Sequence, residues 1–576
     1  MKCLLVAINA KYIHSNLAVY SLKACAEAAA RDRRGAPGIR VELAEYTINH
    51  RAAEILDDIY EKEADILCFS CYIWNIDHVK ALVRNLKRLR PQVPVWLGGP
   101  EVSFDVRERL TEIPEADGIL YGEGERSFPE LLRLYGEGGF PAGTDGREPL
   151  PGGCAWRRGD GEIVVAPPAE PVGMDEIPFV YGAMWEEADF KDRILYYETG
   201  RGCPFSCGYC LSSVDKRLRF RSLSRVYEEL GFFLEKKVSQ VKFVDRTFNC
   251  KKDRALAVWT FLRDHDNGVT NFHFEIGAEL LDEECFALLE TVRPGLLRLE
   301  IGVQSANPET LRAVRRVTDL EKLRLAAVRT GRKRNVLRHL DLIAGLPFED
   351  YESFGRSFDE VYSMEPDELQ LGFLKVLKGT PLYEEAGTYP ILYQAEAPYE
   401  VLETPWLSHD DLIRLKRVEE MVEIYYNSRQ FLYSMKFLLP FFGRPFLLYE
   451  GLGRTWKDRG MGRRRHVRSA LYQFLLDYAE QEIPGAAKEL RKPLTFDYYL
   501  RENAKSRPGF APSQEPYREE IRRRLLARFP ETPFRQLLRE THVEVFRSSL
   551  TGEEEYWMFD YGNRDPLTGN ARPLRL

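Results

Sequence analysis

Gly200-Arg201-Gly202-Cys203-Pro204-Phe205-Ser206-Cys207-Gly208-Tyr209-Cys210 carries three thiols within eight residues, at offsets of four and then three. The stretch directly follows an apolar run, 194–197, with the character of a buried strand. Pro204 and the neighbouring glycines disfavour a regular helix, which leaves the loop free to wrap three sulfurs around one centre. A structural zinc site wants four ligands, and no nearby Cys or His supplies an obvious fourth. A disulfide would leave one thiol over and fits a reducing compartment poorly. Three thiolates suit a 4Fe–4S cluster with one iron left open, since full protein ligation uses four cysteines. The spacing favours the cluster and leaves zinc and a disulfide as alternatives.

Outward from this loop the chain alternates strands and helices. Downstream, apolar runs at 241–244, 272–276, 297–303, 339–344 and 369–373 continue the one at 194–197, with amphipathic segments such as 224–236 and 320–330 between them. These are six βα repeats, short of the eight that close a full barrel, and they predict a partial barrel. Upstream, runs at 3–8, 41–44, 66–69, 93–97 and 118–120 alternate with helical segments such as 18–31 and 78–90. That pattern predicts a doubly wound parallel sheet, whose ligands sit beyond the carboxyl ends of the strands. Residues 138–178 are rich in Gly and Pro and read as a linker holding a short hairpin at 154–165. Beyond about 395 the pattern turns helical, at 410–426, 467–481 and 516–529. The expected fold is α/β: a doubly wound domain at 1–136, a linker at 137–190, a (β/α)6 barrel at 191–395 and a mostly α-helical domain at 396–576.

Composition narrows the function classes. A chain of 576 residues predicts three or four domains at ~150 residues each. A hydrophobic fraction of 44% excludes a disordered chain. With 82 basic and 89 acidic residues the net charge is −7, so no global field points at nucleic acid. The apolar start at 1–8 is too short for a signal peptide. The apolar stretch at 431–449 is interrupted by Lys436, Pro440, Arg444 and Pro445, against a membrane span. The ten cysteines therefore read as reduced thiols of a cytoplasmic protein. The locally basic run 459–468 reads as a solvated helix start.

The Cys-x3-Cys-x2-Cys loop at the end of a first barrel strand, with an aromatic before the last cysteine, resembles the radical S-adenosylmethionine (SAM) enzymes. The resemblance implies that Cys203, Cys207 and Cys210 hold a 4Fe–4S cluster whose open iron chelates SAM, with Tyr209 packed beside the cofactor. One electron then cleaves the sulfonium, and the 5′-deoxyadenosyl radical abstracts a substrate hydrogen. The segment 243–248 resembles the second-strand motif and implies Asp245 near the methionyl amino group, although the usual glycine pair is absent. The segment 300–305 resembles the fourth-strand motif, with Gln304 and Ser305 facing the ribose or the carboxylate, and 339–347 the fifth-strand motif, with Gly345 behind the adenine.

The domain that precedes the barrel resembles the cobalamin-binding domain of one large subclass. The similarity implies that Ser70 and Cys71, Gly98 and Gly99, and Gly122, Glu123 and Gly124 line a groove for the corrin and its nucleotide tail. An Asp-x-His-x-x-Gly loop is missing, and His14 in the first loop does not reproduce it, so cobalamin is expected without an axial histidine. A dinucleotide wants Gly-x-Gly-x-x-Gly after the first strand, where this chain has no glycine. Cys3, Cys25, Cys68, Cys154 and Cys285 read as core residues, and Cys71 and Cys250 as thiols near the site. A single iron–sulfur centre is expected. The region after 395 resembles the helical tail of an uncharacterised branch of the same subclass.

What the resemblance implies for activity is an oxygen-sensitive methyltransferase that uses a 4Fe–4S cluster, SAM and cobalamin, and a flavodoxin- or ferredoxin-type electron donor. Its substrate is a small molecule or a peptide that the barrel loops do not specify. Ring formation or rearrangement with the same cofactors is the alternative chemistry. A cobalamin-binding regulatory protein with a silent barrel is the alternative from another class, disfavoured by the intact cysteine loop.

Overall fold

The computed structural model describes residues 1–32, 39–137, 151–186, 189–463, 466–504, 506–547 and 552–576. Parts of the expected linker, 138–150 and 187–188, and residues 464–465 of the basic run lie outside the described residues.

Five parallel strands build the first sheet: β1 (Lys2–Asn9), β2 (Arg40–Thr47), β3 (Ile66–Ser70), β4 (Val95–Gly98) and β5 (Gly118–Leu120). Their spatial order, β2-β1-β3-β4-β5, reverses direction between β1 and β3, the switch point at which open α/β sheets present a ligand crevice. Helices follow each strand and cover both faces, so β1 is buried along nearly its whole length. In the helix Ile76–Leu89, Ile76, Val79, Leu82, Val83 and Leu86 form the buried stripe that the three-and-four spacing dictates. Gly118 is required by packing: a Cβ there would lie 2.4 Å from the ring of the buried Trp96.

The described part of the linker departs from expectation. The hairpin is present, as β6 (Cys154–Arg157) and β7 (Ile163–Val165), but it pairs antiparallel with β5 and completes the first sheet at seven strands. Turn-rich composition showed the two short strands but hid their pairing with β5, a partner distant in sequence. They cover a three-residue strand that would otherwise be an open edge.

The second sheet sets Ile194–Tyr197, Gln240–Phe243, Asn271–Ile276, Leu297–Gln304, Leu337–Ala344 and Glu368–Phe373 side by side in chain order. This is the six-repeat arrangement. In Leu297–Gln304 the buried and half-buried residues alternate strictly, which puts Arg298, Glu300, Gly302 and Gln304 on one face.

After residue 405 helices dominate, including His409–Val422, Pro445–Asp458, Arg468–Glu482 and Ala487–Arg501. A three-stranded antiparallel sheet, Thr541–Arg547, Glu554–Arg564 and Ala571–Arg575, closes the chain and was not foreseen. Among the described residues no helix is long and apolar enough to cross a membrane. The chain forms two compact units, one of 1–300, 311–319 and 373–405, the other of 301–310, 320–372 and 406–576.

Candidate cofactor site

In the first unit, the cysteine loop hangs from a short ribbon in which Gly200–Arg201 pairs antiparallel with Arg219–Phe220. Gly202 has φ +89°, and a Cβ there would lie 2.4 Å from the Arg217 carbonyl oxygen, so only glycine lets the loop leave the ribbon. Inside the loop, Cys203 N–H donates to the Asp215 carbonyl at 3.0 Å. Ser213 Oγ donates to the carbonyls of Cys207 at 2.8 Å and Cys210 at 2.7 Å. Gly208 is held at both ends, donating to Val314 O and accepting from Leu382 N, each at 2.8 Å. Cys203 and Cys207 are buried, Cys210 is half-buried, and none is in a disulfide. Arg316 Nη1 lies 3.8 Å from Cys207 Sγ, a positive charge that complements the thiolates a metal centre requires. Burial pushes the Tyr209 phenol above its ordinary range against the opposing charge of Arg316.

Asp245 does not stand free beside the loop. Its Oδ1 accepts from Thr199 N at 2.8 Å and its Oδ2 from Thr199 Oγ1 at 2.7 Å, and burial lifts its carboxyl to about 7. It braces the strand that feeds the cluster loop, a role the sequence reading missed because its partner lies 46 residues upstream. On the inward side of the same unit, Lys242 Nζ and His273 Nε2 each lie 2.9 Å from Glu300 Oε2. Burial lowers the His273 imidazole to about 4. Burial also opposes ionisation of Glu300, but the His273 bond and the Lys242 charge outweigh it and hold that carboxyl well below its ordinary range. This charged group escaped sequence reasoning because each member is a single polar residue inside an apolar strand.

In the second unit, Gln304 adopts φ +71° and its buried Oε1 has no partner, a polar atom left for a ligand. Ser305 corrects the expectation that it faces the cofactor. It is wholly buried, and its hydroxyl donates to Glu349 Oε1 at 2.7 Å, a carboxylate that also accepts from Ser357 at 2.8 Å. Gly345 follows the fifth strand with φ +91°.

The loops at the carboxyl ends of β1, β3, β4 and β5 divide into those that fit a ligand and those that do not. Asn75 Nδ2 donates to Ile8 O at 3.0 Å and Ser70 O at 2.9 Å, pinning the two sides of the switch point together. Gly99 has φ +107°, and a Cβ there would lie 2.6 Å from the Cys71 carbonyl. Gly98 has ordinary contacts with Leu120. Gly122 has φ +74° with open space where a Cβ would sit, so a ligand can approach its backbone. Cys71 corrects expectation: it is fully buried, and burial pushes its thiol up to about 12. Gly124 is a packing glycine, since a Cβ there would come within 2.8 Å of Leu22. Glu123 turns to Arg219, with Nη1 to Oε2 at 3.0 Å, so its carboxylate is engaged by protein. His14 Nδ1 is bonded to the Tyr196 hydroxyl at 2.9 Å. Glu101 and Arg109, buried and 2.8 Å apart, meet the Tyr399 hydroxyl, which ties the loop after β4 to the segment beyond the barrel.

Comparison with known proteins gives this geometry its family. Residues 4–132 match the B12 binding domain and residues 197–361 the radical SAM superfamily. The chain carries a B12 binding domain followed by a radical SAM domain. The cofactors of these domains are a 4Fe–4S cluster, SAM and cobalamin, and the free thiols, the orphaned Gln304 oxygen and the open Gly122 backbone fit them. Residues 387–559 match a family described as a protein of unknown function, DUF4080. Among its relatives, the cobalamin-dependent radical SAM methyltransferase TokK of Streptomyces tokunonensis is 27% identical, covering 73% of this chain and 64% of its own. An anaerobic magnesium-protoporphyrin IX monomethyl ester cyclase of Rubrivivax gelatinosus is 24% identical, covering 61% and 63%. The chain thus spans just under two thirds of the length of either. The structure of OxsB, a cobalamin-dependent SAM radical enzyme, shares the fold with a TM-score of 0.57 at 13% identity, over 93% of this chain and 82% of that one.

Proposed function

We propose that the protein is a cobalamin-dependent radical SAM methyltransferase acting on a polar small molecule or peptide. The observation that carries the proposal is the loop of three free thiols, two of them buried, at the end of the first barrel strand, in a chain whose residues 4–132 match the B12 binding domain. When bound, these cofactors supply one-electron cleavage of a sulfonium, hydrogen abstraction and a transferable methyl group. The chain's own residues set the conditions. Cys203, Cys207 and Cys210 hold the cluster, and Arg316 balances its charge. Gln304 offers a buried acceptor to SAM, Gly345 leaves room for the adenine, and Tyr209 shields the cluster edge. Asp245 fixes Thr199 and through it the strand entering the loop. Gly98, Gly99 and Gly122 let backbone approach the corrin, with Ser70 at the switch point. Lys242, His273 and Glu300 make the barrel interior polar, which suits a substrate that hydrogen-bonds.

Electrons come from a flavodoxin- or ferredoxin-type donor. Ring formation is the second reading, favoured by the cyclase relative. Incubating the anaerobically reconstituted protein with metabolite extracts and methyl-deuterated SAM tests the choice. A product heavier by one labelled methyl group is expected. A SAM-dependent product that lacks the label, formed together with 5′-deoxyadenosine, supports ring formation and sinks methyl transfer.

A further inference from the structure

The neck of the cysteine loop sets two arginines against each other. Arg219 stands directly opposite Arg201 across the antiparallel ribbon, and less than a fifth of either side chain is exposed. Like charges directly opposite across such a pair are destabilising, and partial burial limits screening by solvent. The loop's own flanks supply part of the compensation. Glu198 binds Arg201 at 2.9 and 3.0 Å, and Asp215 lies 3.3 Å from Arg219.

The remaining compensation comes from the first sheet's domain, at the turn into the helix Gly124–Gly136. Glu123 bridges both arginines, bonding Arg219 through both of its oxygens and lying 3.4 Å from Arg201. Glu125, itself nearly buried, pairs with Arg201. The bridge is anchored a second time, because Glu123 accepts from Val172 N at 3.2 Å while Arg219 donates to Val172 O at 2.8 Å.

We infer that Glu123 and Glu125 are positioning residues that clamp the neck of the cluster loop to the cobalamin-type domain. The conformation of the three-cysteine loop is then set by the domain that carries the second cofactor. Without Glu123, Arg219 keeps only Asp215 as an acidic partner and repulsion across the neck returns. What the loop holds rests on the function proposed above; the clamp belongs to the cofactor-free chain and is testable there.

Hydrogen exchange read by mass spectrometry on the full, cofactor-free chain is the test. In Glu123→Gln, amides of 202–218 should exchange about tenfold faster, as expected for loss of a charge-assisted bridge, with the first sheet unchanged. Glu123→Asp, which keeps the charge, should restore most of the protection, and Arg219→Gln should reproduce the same local pattern. Equal exchange in Glu123→Gln and wild type overturns the clamp. So does faster exchange across the whole chain in both charge-removing variants, which would mean a general role in stability. A second readout is the electron paramagnetic resonance spectrum of the dithionite-reduced cluster after reconstitution with iron and sulfide, which should shift in Glu123→Gln and recover in Glu123→Asp. Wild type that takes up no cluster while the exchange difference persists would refute the proposed function and leave the clamp standing.

Discussion

Glu349 shows what a single residue decides in this molecule. Fully buried, it accepts from Ser305 and Ser357 on one oxygen while the other has no partner, and burial lifts its carboxyl to about 7. The folded chain therefore keeps this proton to about pH 7, while the unfolded chain releases it near the ordinary glutamate value of about 4.3. Its contribution to stability is full below that lower value and is lost as pH rises through the higher one, roughly 3 kcal/mol over the window. Glu349→Gln mimics the protonated form and removes the titration. Urea melts between pH 5 and 8 should show the advantage of wild type over Glu349→Gln shrinking as pH rises; a constant difference would show that Glu349 does not titrate there. The same residue explains a misreading. Ser305 stands in a motif that points at a cofactor, but its hydroxyl is claimed by a carboxylate 44 residues further on. By contrast, the proposal that Cys203, Cys207 and Cys210 are ligands rests on local spacing and motif, since their three free thiols lie within eight residues of one loop.

Among elements, legibility follows the range of the pairing. The strands of both sheets were readable as apolar runs because each is covered by the helix next to it in sequence. The hairpin β6–β7 and the C-terminal three-stranded sheet owe their place to partners that local pattern does not reveal. β6 pairs with β5 across a Gly- and Pro-rich stretch, and Cys154 and Ala155 are fully buried there. A boundary at 136 therefore cuts through a sheet. A fragment of residues 1–137 should melt at least several degrees below one of residues 1–170, and should aggregate through the exposed edge of β5. Equal melting temperatures by circular dichroism would show that the hairpin adds nothing to the first sheet.

For the whole molecule, the order of domains was legible because each domain's composition and periodicity are distinct: parallel-sheet alternation, a cysteine loop after a strand, then helices. Residue contacts between the first sheet's domain and the cluster loop were not legible, since Glu123 and Arg219 lie 96 positions apart, Glu123 reads as part of a corrin groove and Arg219 stands in no motif. The substrate is bounded only by the polar barrel interior around Glu300. The central claim is that three thiols on one loop hold an iron–sulfur cluster. Anaerobic reconstitution with iron and sulfide, followed by Mössbauer spectroscopy and iron and sulfide quantification of wild type and Cys207→Ala, tests it most directly. The account predicts about four irons and four sulfides per chain with a 4Fe–4S spectrum in wild type, and loss of most of that iron in the variant. Stoichiometric zinc in place of iron, or iron content unchanged by Cys207→Ala, would contradict it.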